Sequence, residues 1–598
     1  MNTIHKLTLA LLSAGVALGV TSCKLDVVDP TNLSSETFWQ SESDVHNNLT
    51  FLYANTVPGV GIYDDAYTDD VRCPYPWESA GSTFQTNGLS AETDMGYDFT
   101  VIRAANLFIQ NVSKMKIEEA LKKRVLAEAR LLRAWNYAEL TKKFGKVPLV
   151  TEVLEYDMKE LPRDDAEKVR AFVLDEFAAV AEVLPEKYSG GFLNETSRIT
   201  KYGAHALRAR YALIFGNYKE AEASAREVMK GNFALYQVSA LPEGTADEVN
   251  QIKQLVDFDA MGLSEEDFIK GVFSYRNLWD NGNVTTSSPE CVIVKEYKSG
   301  DSDYADLSRY TCMRPDQMVL GWSSVVPQQP LLDAYWSANG QPFTAPTPTE
   351  RASAYKAFFQ AINKEIKDTK KSYTAVANDW VQSGKYLTLD YLKEFKNRDA
   401  RLYASILFPM KKVSDTDAGK DFIYEWRKKD EKVVNNESTT GYNFIKMVAK
   451  SSNTVQWGAY LCSEVNFPVF RYAEALLIFA EAHTVNSGYD AEVVSALNQL
   501  RNRVGMPNVP TGLGKKEALD LIRNERRIEL AGEGHRLSDI RRYGADYQAK
   551  YANNVDIIQP DGEKVLTLKW DKRMTLFPIP QTAMDVNPSL RQDQNPGY

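Results

Sequence analysis

YALIFGNYKEAEASAREVMKGNF, residues 211–233, decides the fold. An apolar helical run ends near Phe215, Gly216-Asn217 supplies a turn, and a second helix opens at Tyr218. Glycine adopts positive φ without steric cost, so Gly216 allows the chain to reverse. Beyond the turn, Ala221, Ala225 and Val228 recur at steps of four and three, which places them on one helical face. Alanines on that face let two helix axes approach closely. The stretch therefore predicts two short helices packed side by side.

A related arrangement appears at 471–507, RYAEALLIFAEAHTVNSGYDAEVVSALNQLRNRVGMP. Ala473, Leu477 and Ala480 face inward, Gly488 turns the chain, and Ala496, Leu497 and Leu500 face back. The spacing of Tyr211, Gly216, Tyr218, Ala221 and Ala225 resembles the second half of a tetratricopeptide repeat. A longer helix is predicted in LKKRVLAEARLLRAWNYAELTKKFG, where Leu121, Val125, Ala129, Leu132 and Trp135 share a face; Gly145 ends it and Pro148 follows. The expected fold class is mostly α, a tetratricopeptide-like scaffold of helical pairs with long irregular, loop-rich insertions and a few short strands. Two degenerate copies so far apart imply a long insertion between them.

That insertion, 236–465, is rich in Gly, Pro, Ser, Asn, Tyr and Trp, with short strand candidates CVIVKEY at 291–297 and NFIKMV at 443–448. The segment 58–98 has the same character. Long irregular segments on a compact frame usually carry function. The expected division is a leader at 1–22 and one body at 23–598. The body has an N-terminal helical part at 23–235, the insertion, and a C-terminal helical part with its tail at 466–598.

The chain opens with a basic Lys6, an apolar run from Leu7 to Val20 and small residues, the pattern of a secretory signal. Val20-Thr21-Ser22-Cys23 matches the bacterial lipobox, which predicts acylation of Cys23 and a lipid anchor on a membrane surface. A net charge of −10 argues against a nucleic-acid partner, which calls for a basic stripe. It also works against polyanionic ligands, although local loop charge can override it. Cys73, Cys291, Cys312 and Cys462 are widely scattered and lack metal-ligand spacing. Exported cysteines can pair, but four allow three connectivities, and isolated thiols fit equally well.

Motifs along nearly the whole mature chain then converge. They are LDVVDPTNLSSETFWQSESDV (25–45), AEARLLRAWNYAEL (127–140), FGKVPLV (144–150), LLDAYWSANGQP (331–342) and NRDARLYASILFP (397–409). FPVFRYAEALLIFAEA (467–482), LNQLRNRVGMP (497–507), IRNERRIELAGEGHRLSDIRRYG (522–544) and FPIPQTAMDVNPSLRQDQNPGY (577–598) complete the set. In this order they resemble the SusD-like (RagB/SusD) family of outer-membrane nutrient-binding lipoproteins. One departure is NRDARL, where many relatives have a proline before the arginine. The resemblance implies a helical scaffold, lipid-anchored at the outer membrane and facing the exterior, whose loops bind an oligosaccharide. It further implies a SusC-like TonB-dependent barrel transporter as partner, no cofactor and no catalysis.

The candidate site begins in AYTDDVRCPYPWESAGSTF, residues 66–84, too rich in Pro, Gly and Ser to bury its aromatics in an ordinary core. A sugar ring offers axial C–H groups on a face and hydroxyls at its edge, so its site needs a flat apolar platform with polar groups around it. Tyr75 and Trp77 would supply the platform, and Asp69, Asp70 and Arg72 the hydrogen bonds at the rim. The competing reading is that the rings pin the loop to the helices while the acids pair with Arg72. A second region offers Tyr275, Trp279 and Trp322, with Tyr304 and Tyr310 nearby, whereas Trp336 is expected to be framework. Asp301, Asp303 and Asp306 look calcium-like but lack the Gly and terminal Glu of an EF-hand loop, so no metal is expected. Glu525 and Glu529 share a helical face, and two carboxylates at suitable separation can run glycoside hydrolysis. The interleaved Arg523, Arg526, Arg527, Arg541 and Arg542 point more simply to ion pairs. Two alternatives stand beside sugar capture: a peptide-binding lid on the same kind of transporter, and a lipid-anchored glycoside hydrolase.

Overall fold

The structure is a computed structural model. It describes residues 39–59, 61–154, 160–279, 288–297, 323–415, 420–426, 438–448, 454–457, 460–463 and 465–598. The diagnostic turn forms as its sequence dictates. Lys201–Ile214 and Tyr218–Met229 are helices, Gly216 sits at φ 78°, and the Asn217 side chain caps the second helix by accepting from the Glu220 amide. The distant copy repeats this with Tyr472–Asn486 and Ala491–Arg503, Gly488 at φ 111°, and Asp490 capping the amides of Glu492 and Val493. Glu119–Phe144 runs to Gly145, whose φ of 72° closes it.

Helices stack in sequence order from Glu42–Thr56 and Thr100–Val112 through Glu119–Phe144, Ala166–Ala181 and Lys201–Ile214 to Tyr218–Met229. The next neighbour, Tyr472–Asn486, is more than 240 residues further along the chain. Ala221, Ala225 and Val228 pack in one core with Ala473, Leu477 and Ala480, so the small faces recognised in sequence meet each other. Glu222 and His483, 2.7 Å apart, close the outer edge of that contact. Every residue from Tyr472 to Thr484 is buried, as befits a helix apolar nearly all round. Its two acids are paired there, Glu474 with Arg210 at 2.6 Å and Glu481 with Arg542 at 2.7 Å.

Within the insertion Cys291–Lys295 forms a two-stranded antiparallel ladder with Phe467–Arg471, the strand that leads back into the stack. The first strand candidate is thus a strand, while the second is reduced to Asn443–Phe444, paired with Ile406–Leu407. Beyond it Met447 takes φ 68°, which a strand does not tolerate. Much of 236–465 is helical, including Ala246–Leu255, Glu265–Asn277, Pro348–Thr369 and Tyr373–Ser383. These surround a second hydrophobic core, with Ile252, Phe268, Phe358 and Trp380 inside.

The two cores lock together where Glu265–Asn277 crosses the end of Ala491–Arg503. A Cβ on Gly271 would fall 2.4 Å from the Val504 backbone, and one on Gly505 would fall 2.5 Å from that of Phe268. Backbone cannot yield as a side-chain tip can. Gly271→Ala is therefore expected to cost about 3 kcal/mol, the upper end of overpacking penalties. A urea midpoint unchanged from wild type would remove this contact from the account.

Acid should weaken the second core. Glu248 is fully buried, 2.6 Å from Arg276 and 2.9 Å from Lys411. Burial alone would push its carboxyl up, but the two cations overcome that and hold it down at about 2. A folded value below the unfolded one of ~4.3 makes the stabilisation complete above that pH and progressively lost as pH falls toward 2. The expected loss is on the order of 3 kcal/mol. Between pH 5 and pH 3 about half of this loss, roughly 1.5 kcal/mol, should appear in the denaturation midpoints, and Glu248→Gln should flatten the dependence.

Candidate functional site

The segment 66–85 is clamped before it turns outward. Val71–Arg72 pairs antiparallel with Val326–Pro327. Two amide side chains, Gln85 and Gln328, each donate to the carbonyls of Thr68 and Val71. Pro74 and Pro76 then fix φ and remove backbone donors, so the ladder ends. The Tyr75 carbonyl accepts from the amides of Glu78 and Ser79 at 3.1 and 3.2 Å, and this tight turn carries Trp77 at its tip. A Cβ on Gly81 would lie 2.5 Å from the Ala66 carbonyl, so the foot of the loop sits tightly on the scaffold. Trp77 is 77% exposed, and the half-buried Tyr75 ring lies beside it at 5.1 Å and 32°. An indole of this size held out in water on a fixed turn is an apolar surface without a covering partner.

Trp77 borders an open cleft of about 380 Å³. Its apolar lining includes Tyr63, Tyr67, Met95, Leu537 and Phe577, and its charged groups are Asp64, Glu78, Asp94, Lys142, Lys143 and Arg541. Glu78 accepts from the Tyr63 hydroxyl at 2.9 Å and from Ser324 at 3.1 Å. Asp94 accepts from the amides of Gly96 and Tyr97. Lys142 is 2.6 Å from Glu139. The combination of a flat aromatic edge with acceptors and donors on both walls suits a ligand with apolar faces and polar edges.

Several expected site residues lie elsewhere. Asp69 and Asp70 are 1% and 2% exposed, away from any rim. They do not pair with Arg72 either. Arg527 reaches Asp69 at 2.7 Å and Asp70 at 2.8 Å, and Arg536 grips Asp69 at 2.9 and 3.0 Å. Arg72 is half-buried on its strand, with Nε and Nη1 unpartnered among the described residues. Tyr275 and Trp279 are core residues and form no binding platform. The Tyr275 hydroxyl donates to the Glu529 carbonyl at 2.5 Å and accepts from Lys446 at 2.9 Å, while Lys446 and Arg471 lie over the Trp279 ring. Tyr275 lies in the helix Glu265–Asn277, whose apolar face turns inward, and Trp279 sits in the turn just after it. Trp322, Tyr304, Tyr310, Asp301, Asp303, Asp306, Cys312 and Cys23 lie outside the described residues, as does the side chain of Cys462. Cys73 and Cys291 are thiols, pushed up by burial to about 11 and about 12. Among the described residues no cluster of three or more His, Cys, Asp or Glu could hold a metal, and no helix is long and apolar enough to cross a membrane.

The carboxylates of 522–544 form a buried charge lattice. Glu525 meets Arg401 at 2.8 Å, Arg501 at 3.2 Å and the Trp336 indole at 2.9 Å. Glu529 meets Arg503, Arg471 and Arg401 at 2.5, 2.7 and 3.0 Å. Glu533 takes Arg471 at 2.7 Å and Lys446 at 2.8 Å. Ion pairs were the expected outcome, but only Asp539 draws on the interleaved arginines, Arg526 and Arg542. Glu525 and Glu529 are 0% exposed and cannot meet a glycosidic bond. Among the cleft residues, Tyr63, Glu78, Lys143 and Arg541 escaped sequence reasoning. Glu78 lies within the stretch singled out and Tyr63 just before it, whereas nothing local marks Arg541.

Fold and cleft together define a helical-repeat scaffold protein that presents a surface aromatic cleft. Comparison with known proteins makes the class specific. Residues 289–598 match the model of the SusD family, and residues 26–213 match that described as "Starch-binding associating with outer membrane". The chain belongs to the SusD family. SusD-like protein P25 of Formosa agariphila is 23% identical over 95% of each chain. A SusD-like protein of Bacteroides fragilis superposes with a TM-score of 0.72 at 24% identity, covering 94% of this chain and 99% of its own. A structure described as a laminarin binding SusD-like protein gives 0.59 at 19% identity, covering 94% and 100%. At these identities the structures share the fold.

Proposed function

We propose that this protein is a cell-surface lipoprotein, anchored through Cys23, that captures an oligosaccharide and delivers it to a TonB-dependent barrel transporter in the outer membrane. The observation that carries the reading is Trp77, held out on a fixed turn beside Tyr75 at the edge of a cleft with polar walls. A pyranose stacks its C–H face on such an indole, while the walls take its hydroxyls. The outer-membrane and starch-binding description of the N-terminal family match, and the laminarin-binding relative, support a glycan as cargo. Capture proceeds without chemistry. Each stacked ring contributes about 1 kcal/mol, enough to retain a chain briefly and still release it to the transporter.

Calorimetry of residues 24–598 against a glycan panel tests this. The expected dissociation constant lies in the micromolar to millimolar range, roughly 4 to 8 kcal/mol. Nanomolar affinity for a free oligosaccharide would contradict hand-over, and release of shorter products on incubation would favour a hydrolase. Capture of peptides in preference to every glycan would move the cargo to the other class.

A further inference from the structure

Arg541 enters the Trp77 cleft from the helix Arg536–Arg542. Nε donates to the Met574 carbonyl at 3.1 Å, and the guanidinium lies over the Phe577 ring at 4.4 Å. Nη2 is buried without a hydrogen-bond partner among the described residues. Four arginines close by in sequence all reach carboxylates: Arg526 and Arg542 meet Asp539, while Arg527 and Arg536 meet Asp69. Arg541 forms no ion pair among the described residues, and Asp64 acts on it only at a distance. Burial pulls it down to about 10, the direction of a cation short of anions. On the same cleft, Lys143 donates to the Met95 carbonyl at 3.4 Å. Of the three cleft acids, Glu78 accepts from Tyr63 and Ser324 and Asp94 from two backbone amides, neutral donors that cancel no charge, yet neither forms an ion pair with Arg541 among the described residues.

A buried donor left unmatched is costly, and an arriving anion removes that cost. The planar guanidinium also matches carboxylate and sulfate oxygens better than it matches single hydroxyls. We infer that the cleft selects an oligosaccharide carrying an anionic substituent, a uronate carboxylate or a sulfate ester, and that Arg541 receives it while Trp77 stacks an adjoining ring. This rests on the oligosaccharide reading above and adds the class of sugar.

The test is calorimetry of residues 24–598 as wild type, Arg541→Gln and Trp77→Ala, with melting curves to establish that each variant is folded. The ligands are uronate oligosaccharides, their carboxyl-reduced counterparts, sulfated oligosaccharides and neutral glucans. The wild type is expected to bind an acidic ligand about tenfold more tightly than its uncharged counterpart. Arg541→Gln should remove that preference, lowering acidic binding about tenfold more than it lowers neutral binding. The uronate and sulfate arms tell the two anions apart. A neutral glycan as the tightest ligand overturns the inference whatever the variants do, as does equal acidic binding by wild type and Arg541→Gln. If Trp77→Ala still abolishes binding in those cases, the oligosaccharide reading survives alone. A wild type that retains no glycan overturns both.

Discussion

Glu529→Ala is expected to lower the unfolding free energy by about 3 to 5 kcal/mol, the largest loss from any single side-chain truncation considered in this chain. Glu529 is the common anion for Arg401, Arg471 and Arg503, all fully buried. Burial by itself would push its carboxyl up. Arg503, Arg471 and Arg401 reverse this and hold it well below the usual carboxylate range. Truncation would take one shared anion from three buried guanidiniums, leaving Arg401 with Asp399 and Glu525, Arg471 with Glu290 and Glu533, and Arg503, among the described residues, with Glu290 alone. Domains are commonly stable by only 5 to 15 kcal/mol, so a loss of this size should depress expression as well as the denaturation midpoint. Glu529→Gln keeps the shape and some hydrogen bonds and should fall between. If Glu529→Ala unfolds at the wild-type urea concentration, the lattice is not what joins the insertion to the helical stack.

Trp77→Ala is expected to do the reverse, leaving stability within about 0.5 kcal/mol of wild type while removing glycan retention. The indole is 77% exposed, and beyond its contact with Tyr75 it packs little against the body. Its removal creates no cavity and strands no polar group. The ligand, however, loses its platform, at a cost of about 1 kcal/mol for the ring, with further loss because the Tyr75 edge is no longer aligned. Starting from a weak complex, a tenfold loss of affinity takes retardation in a glycan-containing native gel below detection. Trp77→Phe should retain part of it. Undiminished retardation of the alanine variant would locate the sugar elsewhere.

The two predictions separate what the local chain specifies from what only closure of the fold specifies. Gly216, with alanines at helical spacing on either side, encodes a turn between helices through contacts within a few residues. The scaffold is therefore legible at 211–233 and again at 471–507. The exposure of Trp77 is legible for a related reason, because Pro74, Pro76 and the small residues around them prevent the segment from entering a helix or sheet core. Tyr275 and Trp279 carry the same ring chemistry and were misplaced. Tyr275's helix is short, Trp279 sits in the turn that ends it, and the burial of both depends on the close approach at Gly271 and Gly505.

By itself, then, the sequence determined the helical pairs, their turns and the outward aromatic loop, because φ preference and side-chain periodicity act over single turns. Tertiary structure alone decided which charge meets which. Arg527 lies 457 residues from Asp70, and a Coulombic contact across such a span leaves no local trace. Nothing in RRYG distinguishes Arg542, matched to Glu481 and Asp539, from Arg541, which forms no ion pair among the described residues. That difference arises only when the surrounding elements close around the two neighbours and present carboxylates to one of them.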